Sequence, residues 1–165
     1  MIRQLEVSEA QALFDLWIEG LEAFPFAFLR SADEGRAQDP SRFAEGLAAG
    51  QYWGAFDQDE LVGYACLQGF TLARQKHLAD FGPFYVRSTM QGRGLGRALC
   101  RAMIDDARQK GFLQLELTVW SENATAIRLY ESLGFRRFGC RPRSVIIDGQ
   151  SCDDLLMALM LDQQT

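Results

Sequence analysis

The stretch from Phe84 to Lys110 constrains this chain more than any other. An apolar run, Phe84-Tyr85-Val86, leads through Arg87-Ser88-Thr89-Met90 into Gln91-Gly92-Arg93-Gly94-Leu95-Gly96, and a helical pattern then runs to Lys110. A strand ends, a glycine loop turns, and a helix begins. The first amides of a helix have no partner within it, and the helix dipole sets positive charge behind them. Such a loop is an anion site, most often for phosphate. Glycines are needed where backbone must come close to the phosphate. Arg93 and Arg97 add charge that suits phosphate oxygens.

Three phosphate loops share this outline. A P-loop needs Gly-x-x-x-x-Gly-Lys followed by Ser or Thr, and no Lys follows these glycines. A dinucleotide fingerprint needs Gly-x-Gly-x-x-Gly or Ala, and here Gly92-x-Gly94 is followed by Leu95, Gly96 and Arg97. Glu116 lies near the distance of that motif's acidic residue, but in mid-strand. The third pattern is Gln or Arg-x-x-Gly-x-Gly or Ala after a strand, and Gln91-x-x-Gly94-x-Gly96 matches it. Taken alone, the loop is equally a turn before a helix. A second constellation follows at Asn123-x-x-Ala126-x-x-x-Tyr130-Glu131-x-x-Gly134-Phe135. The two motifs, in this order and at this spacing, resemble the GNAT superfamily of N-acetyltransferases, which bind acetyl-CoA. The Asp148-Gly149 turn and the closing Asp154-x-Leu156-Met157 also look like the family's ending. The resemblance runs from about Leu61 to Leu161, and the first 50 residues match in element order only.

Along the chain, Ile2 to Glu6 alternates as a short strand, and a helix is expected from Ser8, as N-cap, to Ala23. Pro25 ends it. The aromatic run Phe24 to Phe28 reads as a plug that seats a loop on the core, or as a wall of an acceptor cleft. Ser31 to Asp39 reads as a polar loop, and Asp39 with Pro40 starts a second helix ending near Gly50. Tyr52–Phe56 and Leu61–Phe70 form a hairpin. His77 to Val86 is the strand that feeds the glycine loop, with a bulge expected at Pro83. The helix from Gly94 to Lys110 is amphipathic, with Leu95, Leu99, Ala102, Met103 and Ala107 on one face. Gly111 caps it, and Leu113 to Val119 follows as a strand in a right-handed parallel crossover. A short helix spans about Ala124 to Leu133, then extended chain to Ile147, a tight turn at Asp148-Gly149, and a last strand. This is an α+β class, an α/β/α sandwich, with a mixed, mostly antiparallel sheet of about seven strands and about four helices on its faces. The resemblance implies splayed parallel strands at the cofactor site and one GNAT-like domain over 1–165.

Composition narrows the partners. At 165 residues with a formal charge of −5, the chain fits one soluble domain and argues against general nucleic-acid binding. No apolar run reaches the roughly 20 residues of a membrane span, and the N-terminus lacks a signal-peptide stretch. Cys66, Cys100, Cys140 and Cys152 show no Cys-x-x-Cys spacing and read as reduced thiols of a cytoplasmic protein.

Acetyl transfer from a thioester to an amine needs donors for the pyrophosphate, a donor for the thioester carbonyl, a neutral amine, and a proton for the leaving thiolate. The amides of Gly92 to Gly96 (Leu95 among them), with Gln91, Arg93 and Arg97, suit the first. The resemblance implies the rest. The backbone N–H of Phe84 would serve the carbonyl, and Tyr85 and Val86 continue that strand, with the backbone of Val86 pairing the pantetheine arm. Asn123 and Ala126 would hold the pantetheine, although Asn123 is equally an N-cap. Tyr130 would give the thiolate its proton or, on the plainer reading, only pack. Asp80 is the first candidate base and lies where the family's histone-acetylating branch has a glutamate. Glu116 ranks second and the lone His77 third. Acetyl-CoA is the expected cosubstrate, with no metal. The acceptor is an amine-bearing small molecule or peptide, with neither nucleic acid nor membrane as partner, and a homodimer is possible by analogy. A noncatalytic acyl-CoA-binding module on the same fold is the alternative.

Overall fold

The computed structural model describes residues 1–162. Among these, seven strands run in the order β1-β2-β3-β4-β5-β7-β6. They are β1 (Ile2–Gln4), β2 (Tyr52–Asp57), β3 (Glu60–Gly69), β4 (Leu78–Val86), β5 (Gln114–Trp120), β6 (Arg136–Ile147) and β7 (Gln150–Met160). Five α-helices accompany them: α1 (Ala10–Ala23), α2 (Ala32–Arg36), α3 (Ala44–Ala48), α4 (Leu95–Gln109) and α5 (Ala124–Ser132). The mixed, mostly antiparallel sheet is the expected one. The chain forms two compact units, one of 1–67 with 83–104 and one of 68–82 with the chain from Asp105 onward.

In the first unit, β1 and β2 pair antiparallel, as do β2 and β3. The hairpin turn uses Gln58 at φ 51°. One apolar cluster gathers Leu13, Leu16, Trp17 and Leu21 of α1 on Phe56, Tyr64 and Tyr85. Each such side chain contributes about 1.5–3 kcal/mol when fully buried. Gly20 is small for a reason, because a Cβ there would stand 3.0 Å from the Tyr85 ring. A second cluster joins Ala55, Val62, Val86 and Met90 to Leu99 of α4.

Local chemistry moves some boundaries. Ser8 does not cap α1: Val7–Glu9 form a 3-10 turn, and the Glu6 amide donates to the Glu9 carboxylate at 2.8 Å. The expected polar loop at 31–39 contains α2. Ser31 and Glu34 cap it reciprocally, with the Glu34 amide donating to Ser31 Oγ at 3.2 Å and the Ser31 amide to Glu34 Oε2 at 2.8 Å. That helix is the one beyond the expected four. Phe28 packs against the α1 cluster, as a plug does. Asp39 accepts from the Ser41 amide at 2.8 Å, and Pro40 opens a 3-10 turn that runs into α3.

In the second unit, β4 and β5 pair in parallel from Leu78↔Gln114 to Asp80↔Glu116. β5 pairs antiparallel with β7, from Gln114↔Met160 to Trp120↔Asp154. β6 and β7 form a hairpin closed by Asp148 and Gly149, at φ 50° and 79°. Two positive φ values match a turn whose twist fits the strands. At the expected bulge, the irregular residue is Gly82, with φ 148°, one position before Pro83.

Candidate active site

The glycine loop belongs to the first unit. Gly92 and Gly94 have φ 76° and 80°, in the left-handed region that strains other residues. A Cβ built on either would meet nothing within 4 Å, so open space lies over the backbone there. The loop enters α4 at Leu95. Gln91 braces the turn, since its Nε2 donates to the Val86 carbonyl at 2.9 Å and its amide to the Ser88 carbonyl at 3.3 Å. Gln91 therefore shapes the loop, and Arg93 and Arg97 beside it are exposed. Open backbone, glycine conformations and a helix N-terminus fit a pyrophosphate.

Phe84 packs half-buried against the second apolar cluster. Tyr85 is committed elsewhere. Its ring lies 6.0 Å from that of Phe24, and its hydroxyl donates to Glu19 at 2.9 Å. Burial, with the carboxylate beside it, pushes the phenol up to about 12. Tyr85 can offer a ligand only its backbone. Arg87 joins the same network through Glu19 at 3.0 Å and also pairs with Glu60.

The carboxylates belong to the second unit. Asp80 and Glu116 are register partners on adjacent parallel strands, so both project from one face of the sheet. Gln114, two residues before Glu116 on that face, donates from Nε2 to Glu116 Oε1 at 2.7 Å. Asp80 is accessible to solvent yet crowded by surrounding protein. Crowding first, and the like charge of Glu116 second, push Asp80 up to about 6. The residue has the environment of a group that takes and releases a proton near neutrality.

Asn123 caps α5, with Oδ1 accepting from the Ala126 amide at 3.1 Å. Tyr130 is buried in an aromatic trio, its ring 6.0 Å from Phe81 and 5.8 Å from Phe135. The packing fixes the ring and does not by itself employ the hydroxyl. His77 is exposed, and its carbonyl accepts from the Leu113 and Gln114 amides at 2.8 and 3.3 Å, so the backbone of this residue sets the start of β5. None of the four cysteines forms a disulfide among the described residues, and burial pushes the Cys100 thiol up to about 12, which suits no nucleophile.

Sequence reasoning named Gln114 and Asp154 only as strand residues and gave neither a part in the candidate site. Strand alternation puts Gln114 on the face of Glu116, so that signal was available. Asp154 is buried, 6% exposed, beside the half-buried Asp153, and its Oδ2 has no hydrogen-bond partner. Adjacent aspartates on a strand must face opposite ways, but composition does not say which turns inward. Among the described residues no group of three metal-ligating side chains gathers, and no helix is long and apolar enough to cross a membrane.

Comparison with known proteins fits this geometry. The model of the acetyltransferase (GNAT) family matches residues 11–135. The L-methionine sulfoximine/L-methionine sulfone acetyltransferase of Salmonella typhimurium is 39% identical over 79 residues, 48% of this chain and 46% of that protein. The chain thus spans about half the length of that relative. The N-alpha-acetyltransferase RimI of Mycobacterium tuberculosis is 38% identical over 116 residues, covering 67% of this chain and 68% of that one. Among solved structures, yncA from Salmonella typhimurium, determined with its cofactor acetyl-CoA, superposes with a TM-score of 0.87 at 24% identity, over 100% of this chain and 95% of that chain. At that identity the likeness shows the fold. With its family model covering three quarters of its length, this chain belongs to the GNAT family.

Proposed function

We propose that this protein transfers the acetyl group of acetyl-CoA directly to a primary amine of a small molecule or peptide. The observation that carries the reading is the glycine loop, with Gly92 and Gly94 at positive φ and open space over both at the entry to α4. The amides of Gly92 to Gly96, with Arg93 and Arg97, hold the pyrophosphate. The Phe84 N–H donates to the thioester oxygen as charge develops, and the Val86 backbone pairs with the pantetheine arm. Asn123 and Ala126 position the same arm.

Asp80 accepts the proton of the ammonium acceptor. Its raised affinity for protons suits that task, and burial first, with the like charge of Glu116 second, keeps it raised. The freed amine attacks the carbonyl carbon, a C–N bond forms and the C–S bond breaks. The Tyr130 phenol gives its proton to the leaving sulfur, and the second proton, shed by the attacking nitrogen as the amide forms, passes through solvent to restore the phenol. The cysteines take no part.

The relatives point to acceptors worth testing: the names of two concern L-methionine sulfone and L-amino acids, and another concerns the alanine of ribosomal protein bS18. Free-thiol release from acetyl-CoA should appear with at least one member of a panel of amino acids, their amides and alanine-led peptides. CoA binding without thiol release across that panel would overturn the enzymatic reading.

A further inference from the structure

We propose that Asp154 and Trp120 form a subsite for a cationic group of the acceptor, an inference that rests on the acetyl-transfer reading. Asp154 on β7 lies directly opposite Trp120 on β5. Opposed residues of an antiparallel pair share a face, with Cβ atoms about 4.5–5.5 Å apart. Ala158 opposite Glu116, and Asp80 beside Glu116, belong to the same face. The subsite therefore lies on the face of the candidate base, but four residues farther along β5. At about 3.3 Å per residue, Trp120 stands about 13 Å from Glu116. The two places address different points of an acceptor, and their variants are separable.

The buried carboxylate gives the subsite its chemistry. Asp154 is 6% exposed, and its Oδ2, itself out of contact with solvent, has no hydrogen-bond partner. Buried polar atoms are almost always paired, and a buried anion without a donor is costly. The group that completes it must donate hydrogen bonds, and a positive one gains most. Trp120 adds the aromatic ring best suited to a cation. Trp120 is half-buried and Arg141, across from Asp154 on β6, is exposed, so solvent reaches residues on both sides of the buried carboxylate.

The position also suits an acceptor. At the end of β5 the Ser121 amide donates to the Asp153 carbonyl and the Asn123 amide to the Trp120 carbonyl, both at 2.9 Å. Asp154 and Trp120 thus stand where the chain turns into α5, the helix that Asn123 caps and that carries Tyr130. Charged groups next to Asp154 include Asp153 on its own strand, whose carboxylate accepts from the Arg143 amide at 2.7 Å, and Arg141 across on β6. Arg141 is the chain's own competitor for the carboxylate.

The test uses the full chain and n-butylammonium chloride, with n-butanol as the uncharged match, read at the indole N–H resonance of Trp120 by NMR. The ammonium should move that resonance saturably, the alcohol should not, and Asp154→Asn should weaken the ammonium titration at least tenfold. Asp80→Asn should leave it in place, and CoA binding by calorimetry should be the same in wild type and Asp154→Asn. The subsite is overturned if the alcohol moves the resonance equally, if Asp154→Asn titrates like wild type, or if wild type does not respond. A response that appears only in Arg141→Ala assigns the carboxylate to Arg141 and overturns it too. Titrations with and without CoA keep this result apart from the proposed function, which fails separately if CoA does not bind.

Discussion

The glycine loop and the carboxylate face are built in opposite ways. The loop is local: Gln91 reaches back five residues to Val86, and two glycine conformations do the rest. The face is assembled at long range, from Asp80 on β4, Glu116 on β5 and Asp154 on β7, by strand register. The difference follows from what each is proposed to do. An anion can be held by backbone amides, which any short glycine-bearing turn before a helix supplies. Proton transfer needs side chains whose surroundings shift their acidity, and surroundings come only from chain brought together by folding. Lesions in the loop should therefore alter binding and spare acid–base behaviour, and lesions on the face should do the reverse.

The largest expected effect breaks or supports that division at Tyr130. Tyr130→Phe keeps the ring against Phe81 and Phe135 and removes only the hydroxyl. If the hydroxyl serves the thiolate, kcat falls about 10²-fold with little change in the KM for acetyl-CoA. An unchanged kcat, with chemistry limiting turnover, would leave Tyr130 a packing residue.

Next comes Gly94→Asp. A carboxylate would occupy the space above the loop and strain a residue at φ 80°. CoA affinity should drop at least tenfold, about 1.4 kcal/mol, while the fold persists. Calorimetry that finds wild-type binding by the folded variant would remove the loop from the site.

Asp80 carries the pH dependence. With its carboxyl at about 6, the ascending limb of kcat/KM should turn near that pH and vanish in Asp80→Asn, with activity partly recovered where the amine is already neutral. Glu116→Gln removes the smaller of the two causes, so the limb should move to lower pH without reaching the ordinary carboxyl value. If instead Asp80→Asn is silent and Glu116→Gln loses the limb, Glu116 is the base. The sign for stability is also set. The folded state raises this carboxyl, so its charge opposes folding above about pH 6, and the penalty fades as pH falls toward the ordinary value. Asp80→Asn should therefore be no less stable than wild type at pH 7, and urea titrations of the two should converge near pH 4.

The smallest effect is at Asn123. Asn123→Ala leaves the Ala126 amide without its cap and should cost about 1 kcal/mol in thermal or urea unfolding. A loss of CoA affinity beyond that stability change would support its pantetheine role.

Much of this was legible in the sequence because it is local. The strand–loop–helix of residues 84–110, the hairpin turn at Asp148-Gly149 and the cap at Asn123 depend on neighbours a few positions away, and glycine, aspartate and asparagine mark them. The helix at Ala32–Arg36 escaped notice although Ser31 and Glu34 are a capping pair, because no apolar period ran through five residues. Ser8 misled because the Glu6 amide and Glu9 carboxylate make the bond that opens the turn there.

The family, the seven strands and the strand–glycine loop–helix of residues 84–110 could be read from residue spacing alone. Which carboxylates share a face, that Glu116 is held by Gln114 and crowds Asp80, that Tyr85 turns to Glu19, and that Asp154 faces inward were decided only by the tertiary structure. Register and burial are properties of chain segments distant in sequence, and no local pattern records how far a strand slides against its neighbour before its apolar side chains are covered.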